Sequence, residues 1–142
     1  MGKGVKESDK VILYSDGSSL GNPGRAGIGA IICDEDRKVI KKIAKFIGIT
    51  TNNVAEYMAL IFALEEALYL RAKEVECFLD SQLLVRQLEG TYKVKDRKLG
   101  LFHSQVRHLE SFFEKVNFNY VVRSANKQAD RLAKVAARGK RE

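Results

Sequence analysis

At 142 residues the chain is sized for one globular domain, and its 45% hydrophobic content is enough for an ordinary core. Its 25 Lys and Arg against 18 Asp and Glu leave a formal charge of +7, which suits a polyanion such as nucleic acid without identifying one. No apolar run reaches the ~20 residues that span a bilayer, and the opening Met1-Gly2-Lys3-Gly4-Val5-Lys6 lacks both a signal-peptide core and the Ser or Thr that myristoylation wants at position 6. These exclusions lead to the expectation of a cytoplasmic, monomeric protein that avoids membranes.

Residues 1–9 are polar and aperiodic and read as a tail, residues 10–137 as a single domain, and residues 138–142 as a basic end. Val11-Ile12-Leu13-Tyr14 is a continuous apolar run that suits a central strand, ending at Ser15-Asp16-Gly17. Gly17 to Gly24 carries three glycines and the only proline, and reads as a turn or functional loop. Ala26 to Cys33 and Val39 to Ile47 follow as strands, the latter studded with Lys41, Lys42 and Lys45 as on a sheet edge. Short connections make these three strands an antiparallel meander.

Thr50-Thr51-Asn52-Asn53 can cap a helix whose apolar positions are Tyr57, Leu60, Ile61, Leu64 and Leu68. Val75 to Leu79 is a fourth strand, and Ser81 to Glu89 a short helix. A strand–helix–strand sequence implies a right-handed crossover and parallel pairing with the first strand. Leu99 to Phe113 is read as a helix, Phe118 to Val122 as the fifth strand, and Ala129, Leu132, Ala133 and Ala136 as the stripe of a final helix. The sum is an α/β fold: a five-stranded mixed sheet, three antiparallel strands and then parallel additions, flanked by helices. Cys33 and Cys77 lie in apolar strands without metal-ligand spacing and are expected to be buried free thiols.

Asp16 and Asp80 each end an apolar strand, where ligands gather in open α/β sheets. Glu56 is placed in the first turn of its helix, where the dipole favours a carboxylate, and Asp130 near the start of the last helix, at the rim of the sheet. Each acid taken alone reads as an ordinary cap. Clustered, unpaired carboxylates repel one another unless they are protonated or hold divalent cations, and oxygen-only ligands favour Mg²⁺ or Mn²⁺ over Zn²⁺. Two such ions would serve an in-line phosphoryl displacement. His103 and His108, five residues apart, do not share a face suited to a metal pair.

Four motifs in order resemble the type 1 ribonuclease H family over about Val11 to Ala137: Tyr14-Ser15-Asp16-Gly17-Ser18-Ser19-Leu20-Gly21-Asn22-Pro23-Gly24; Thr50-Thr51-Asn52-Asn53 with Ala55-Glu56-Tyr57-Met58-Ala59-Leu60; Leu79-Asp80-Ser81-Gln82 with Val85; and Arg123 through Asn126-Lys127-Gln128-Ala129-Asp130-Arg131-Leu132-Ala133. The resemblance implies an RNase H-like fold and an endonuclease that cuts the RNA strand of RNA–DNA hybrids with two Mg²⁺ or Mn²⁺ ions, leaving 5′-phosphate and 3′-hydroxyl ends. It implies that Asp16, Glu56, Asp80 and Asp130 are the metal-binding catalytic carboxylates. Gly17, Ser18, Asn22, Thr51, Asn52, Asn53, Ser81, Arg123 and Asn126 are its implied substrate contacts, the asparagines reading 2′-hydroxyls in the minor groove and Thr51 lying near a DNA phosphate. Lys93, Lys95, Arg97 and Lys98 read as a phosphate-tracking ridge or a solvated loop.

The chain departs from well-known cellular members where they carry a histidine before the last aspartate; Val122-Arg123-Ser124-Ala125-Asn126 has none, and Arg123 can bind phosphate but cannot act as a base. That pattern is closer to an archaeal-like or reverse-transcriptase-like branch. There is no tryptophan, no long basic handle between Gly90 and Leu99, and no N-terminal hybrid-binding module is expected. Weaker hybrid binding is therefore expected, with RNA–DNA junctions and double-stranded RNA as secondary substrates. The rivals are a non-catalytic nucleic-acid-binding module, a DNA-directed nuclease of the same fold, and a partner protein using only its charge. The four acids count against the first, because a pure binder has no reason to keep repelling carboxylates.

Overall fold

The computed structural model describes residues 10–139; the expected N-terminal tail and residues 140–142 of the basic end lie outside the described residues. Its elements are β1 (Lys10–Ser19), β2 (Gly24–Cys33), β3 (Val39–Thr50), α1 (Asn52–Tyr69), β4 (Glu74–Leu79), α2 (Gln82–Glu89), α3 (Arg97–Glu110), β5 (Lys115–Tyr120), a 3₁₀ turn at Arg123–Asn126, and α4 (Lys127–Ala137). The sheet order is β3-β2-β1-β4-β5. β1–β2 and β2–β3 pair antiparallel, β1–β4 and β4–β5 parallel, as the meander and crossover arguments require.

Alternation along β1 explains the layers. Val11 and Leu13 point into the large core with Leu60, Leu64, Val75, Cys77, Leu79 and Val106, beneath α1, α2 and α3. Ile12 and Tyr14 point the other way, into a smaller cluster with Ile31, Cys33, Phe78 and Leu132 of α4. Cys33 and Cys77 are buried free thiols. β3 is an edge strand, and its three lysines are exposed along it. None of the described helices is long and apolar enough to cross a membrane.

Several boundaries differ from the sequence expectation: β3 runs on to Thr50, three residues past Ile47, β2 starts two residues early, at Gly24, and three others have a visible cause. The stretch Gly17 to Gly24 is not all loop: β1 continues through Ser19, with Gly17 opposite Ile28 and Ser19 opposite Ala26, so only Leu20–Pro23 connect the strands. Glycine there answers a packing need and not a turn, as the site makes clear. The fifth strand begins at Lys115, three residues early, because its register against β4 runs from Glu74–Lys115 to Leu79–Tyr120 and Glu76 is paired by the Asn117 and Asn119 side-chain amides. α3 starts at Arg97, where Asp96 Oδ1 accepts from the Leu99 N–H at 2.9 Å, and stops at Glu110, short of the buried Phe113.

Candidate active site

β1 and β4 run side by side and in the same direction, with Ser15 opposite Leu79, so Asp16 and Asp80 leave the sheet as neighbours at its carboxyl-terminal end. Two helices bring the other acids. A Cβ at Gly17 would fall 2.2 Å from the Ala55 carbonyl carbon and 2.4 Å from the Glu56 nitrogen, so only glycine lets α1 settle this closely on β1 and set Glu56 over the strand end. On the opposite face a Cβ at Gly29 would fall 2.3 Å from the Ala129 carbonyl oxygen and 2.6 Å from the Ala133 nitrogen. Gly29 pairs with Asp16 in the ladder, so the helix that rests on it places Asp130 beside Asp16.

Glu56 lies beyond the first turn of α1, contrary to expectation. Thr51 is the N-cap, its Oγ1 accepting from the Val54 N–H at 3.3 Å, and the first turn holds no acid. Its position comes from the Gly17 contact and not from the helix dipole.

Ligand oxygens of Asp16, Glu56 and Asp80 all lie within 4.8 Å of one another. Asp130 adjoins them and carries two ion pairs, to Lys134 Nζ at 3.2 Å and to an Arg123 guanidinium nitrogen at 3.8 Å. Burial, then the negative charge of Asp80, then contact with Asp130 push the Asp16 carboxyl up to about 9. Burial raises Glu56 to about 7 against a lowering hydrogen bond from Ser81, and burial raises Asp80 although Asn126 and Arg123 pull it down. Left to themselves, carboxylates so placed relieve repulsion by keeping a proton.

Among the described residues, the buried side-chain polar atoms without a hydrogen-bond partner are Ser15 Oγ, Asp16 Oδ2, Asp80 Oδ2, Asn126 Oδ1 and Asp130 Oδ1. Every one belongs to this site. Buried oxygens that no protein donor satisfies are rare, and a concentration of them in one place fits hard divalent cations as the missing partners. Asp16, Glu56, Asp80 and Asp130 could therefore hold such ions.

The remaining expected site residues separate into a rim and a support. Asn22 and Asn52 meet at the start of α1, where Asn22 Oδ1 accepts from the Asn52 N–H at 3.0 Å and Asn52 Oδ1 accepts from the Ser19 N–H at 3.2 Å, while Asn53 lines a shallow depression with Glu56, Tyr57 and Ser81. Ser18 is half-buried on β1 and Arg123 is exposed. Gly17 and Asn126 are buried: the Asn126 amide donates to the Ser15 carbonyl at 2.9 Å. Ser81 caps α2 through the Leu84 N–H at 3.1 Å. His103 meets the Gln87 carbonyl and His108 packs edge-on against Phe112, so neither approaches the acids.

Sequence reasoning missed Gly27, Gly29 and Lys134. The signals were a Gly-x-Gly facing an alanine stripe and an acid–lysine pair four residues apart. The depression lined by Ser15, Asp16, Glu56, Leu79, Asp80, Ser81 and Leu84 is shallow and open, which suits a chain laid across it better than an enclosed small molecule. A groove of about 340 Å³ on the α4 face, lined by Tyr14, Cys33, Arg37 and Lys127 among others, contains none of the four acids.

Residues 14–136 match the model of the reverse transcriptase-like family. The chain is 43% identical over 125 residues to a bifunctional protein of Mycobacterium tuberculosis, covering 87% of this chain and 34% of that one. It is 38% identical over 127 residues to the ribonuclease HI of Halobacterium salinarum, covering 89% of this chain and 64% of that one. The chain thus spans about a third of the first relative and less than two-thirds of the second. The solved RNase H1 of Halobacterium salinarum superposes with a TM-score of 0.90 at 37% identity, over 92% of this chain and 99% of that one. LC11-RNase H1 in complex with an RNA/DNA hybrid superposes at 0.85 with 40% identity, over 91% and 97%. The chain therefore belongs to the reverse transcriptase-like family and carries the fold of the type 1 ribonucleases H.

Proposed function

We propose that this chain is an endonuclease that hydrolyses the RNA strand of RNA–DNA hybrids, with Asp16, Glu56, Asp80 and Asp130 as its metal-binding carboxylates. The observation that carries the reading is the convergence of three carboxylates within 4.8 Å, with Asp130 alongside, in an open depression. A relative of the same fold in complex with an RNA/DNA hybrid supports the substrate.

The four acids would hold two Mg²⁺ or Mn²⁺ ions, which when bound supply the charge that activates a water and stabilises the leaving oxygen, giving 5′-phosphate and 3′-hydroxyl ends. The protein supplies position. Ser81 and Asn126 lie against Glu56 and Asp80 and favour their ionised forms, while the backbone contacts over Gly17 and Gly29 fix the helices that carry Glu56 and Asp130. With the Asn22 and Asn52 side-chain oxygens taken by backbone N–H groups, their amide NH₂ groups would serve the hybrid's minor groove, and the exposed Arg123 would bind a phosphate.

The test is cleavage of an end-labelled RNA–DNA hybrid by wild type and Asp16→Asn, with Mg²⁺, Mn²⁺ or chelator, alongside duplex RNA, an RNA–DNA junction and duplex DNA. Metal-dependent cutting of the RNA strand, lost in the variant, is the expected result. Binding without cutting in either metal would leave a non-catalytic module, and cutting of duplex DNA a DNA-directed nuclease.

A further inference from the structure

The four acids are not neutralised alike. Among the described residues the ion pairs at the site both fall on Asp130: Lys134 Nζ stands 3.2 Å from Oδ2, and Arg123 stands 3.8 Å from Oδ1. Asp16, Glu56 and Asp80 face one another instead, their oxygens within 4.8 Å of one another and without an ion pair among the described residues.

An acid and a lysine four residues apart on a helix are often a weak surface pair. This one is not at the surface in the ordinary sense. The Asp130 side chain is only 19% exposed, its Oδ1 is buried without a hydrogen-bond partner, and its carboxyl abuts that of Asp16. Lys134 is tethered one turn away on the same helix and is 43% exposed, so its ammonium can swing into water while its backbone stays in α4. Arg123, three-quarters exposed and farther from the carboxylate, holds Asp130 more loosely.

We propose that Lys134 is a tethered counter-ion that competes with a divalent cation for Asp130, so that the carboxylate site fills in two unequal steps. The inference rests on the metal-dependent reading above. The first ion meets Asp16, Glu56 and Asp80, which have no ammonium to displace. A cation taking Asp130 through Oδ1 would lie beside the Lys134 ammonium on Oδ2, and the two repel, so the second ion binds tightly only as Lys134 swings away. Lys134 thus acts as a positioning residue: without metal it quiets Asp130 beside Asp16, and it sets the concentration at which the second ion binds.

The experiment is calorimetric titration of Mg²⁺, and separately of Mn²⁺, into the wild-type chain, Lys134→Met, Lys134→Gln and Lys134→Arg at pH 8 and low salt, without nucleic acid. Melting temperatures in chelator are read in parallel. Removing a competing partly exposed charge should tighten the weaker binding step about three- to tenfold in Lys134→Met and Lys134→Gln. Lys134→Arg should stay near wild type. In chelator the two neutral variants should melt below wild type, and metal should raise their melting temperatures by more.

Equal affinities in wild type and both neutral variants would overturn the proposal while leaving the metal site standing. No divalent-ion binding by the wild type would remove the metal-dependent reading itself. Lys134→Gln keeps a donor toward Asp130 without the charge, so a Gln variant that binds metal like wild type would also overturn the proposal, whatever Lys134→Met does to folding.

Discussion

The two faces of the sheet each deliver a carboxylate to the same place, but they hold their helices by different means. On one face α1 lies over a thick aliphatic layer that includes Leu13, Leu60, Leu64 and Val75, with a single glycine, Gly17, under its start. On the other, α4 rests on Gly27 and Gly29 through Ala129, Ala133, Ala136 and Ala137, with almost no side-chain volume between backbone and backbone. Burial of large side chains supplies stability, whereas small residues in contact fix distance. The α1 face should therefore dominate the free energy of folding and the α4 face the precision of Asp130.

The largest effect tests the first half of that contrast. Leu13 is fully buried, and Leu13→Ala should cost about 2–5 kcal/mol in urea unfolding through lost burial and a cavity. A loss under about 1 kcal/mol would mean the aliphatic face is not the main support. Next come the glycines. Gly29→Ala and Gly27→Ala both put a methyl into backbone, 2.3 Å from the Ala129 oxygen and 2.4 Å from the Ala137 nitrogen, and each should destabilise by about 1–3 kcal/mol. Their effects on hybrid cleavage should differ. Gly29 underlies the turn that carries Asp130, and a shift there should lower kcat on the order of tenfold or more; Gly27 lies under the far end of α4 and should lower it less. Equal losses of kcat in protein shown to be folded would break the claim that the Gly29 contact places Asp130.

Much of this was legible in the chain. Apolar runs ending at Asp16 and Asp80, short connections among the first three strands and a crossover helix imply two neighbouring acids at one end of a sheet, and the four motifs imply the other two. What was not legible depends on register between distant segments. A glycine in sequence reads as a turn, and nothing near Gly17 announces that the Ala55 backbone will lie against it. Likewise Gly29 acquires its role only when the ladder sets it opposite Asp16 and α4 descends on it. The placement of Glu56 was read from the helix dipole, but the cap fell on Thr51 and moved it past the first turn.

A smaller, graded effect follows from the charge at the point where the faces meet. Asp16 and Glu56 titrate in the fold at about 9 and about 7, chiefly because of burial, against ordinary values of 3.8 and 4.5. The folded state thus binds protons more tightly than the unfolded chain, a stabilisation fully present below about pH 4 and lost as pH rises through the folded values. In chelator the melting temperature should fall between pH 6 and pH 9. With saturating Mg²⁺ the fall should be shallower, since bound cations stabilise the ionised acids, and Asp16→Asn in chelator should also flatten it. A melting temperature that climbs over this range in chelator, in wild type but not in Asp16→Asn, would contradict the burial account of Asp16.

The helix starts give the finest distinction between the faces. α1 is capped in the ordinary way, Thr51 Oγ1 taking the Val54 N–H, whereas the residue before α4, Asn126, makes no side-chain cap and sends its amide to the Ser15 carbonyl. One helix start is thus secured locally and the other by a tie to the strand that carries Asp16. Thr51→Ala should cost about 1 kcal/mol, the usual worth of a cap, and the 3.3 Å bond from a half-buried side chain argues for no more. Thr51→Ser should restore it, because the hydroxyl does the capping. If Ser fails to restore stability, the Thr51 methyl matters more than its oxygen, and the start of α1 is held by packing, as the rest of its face is.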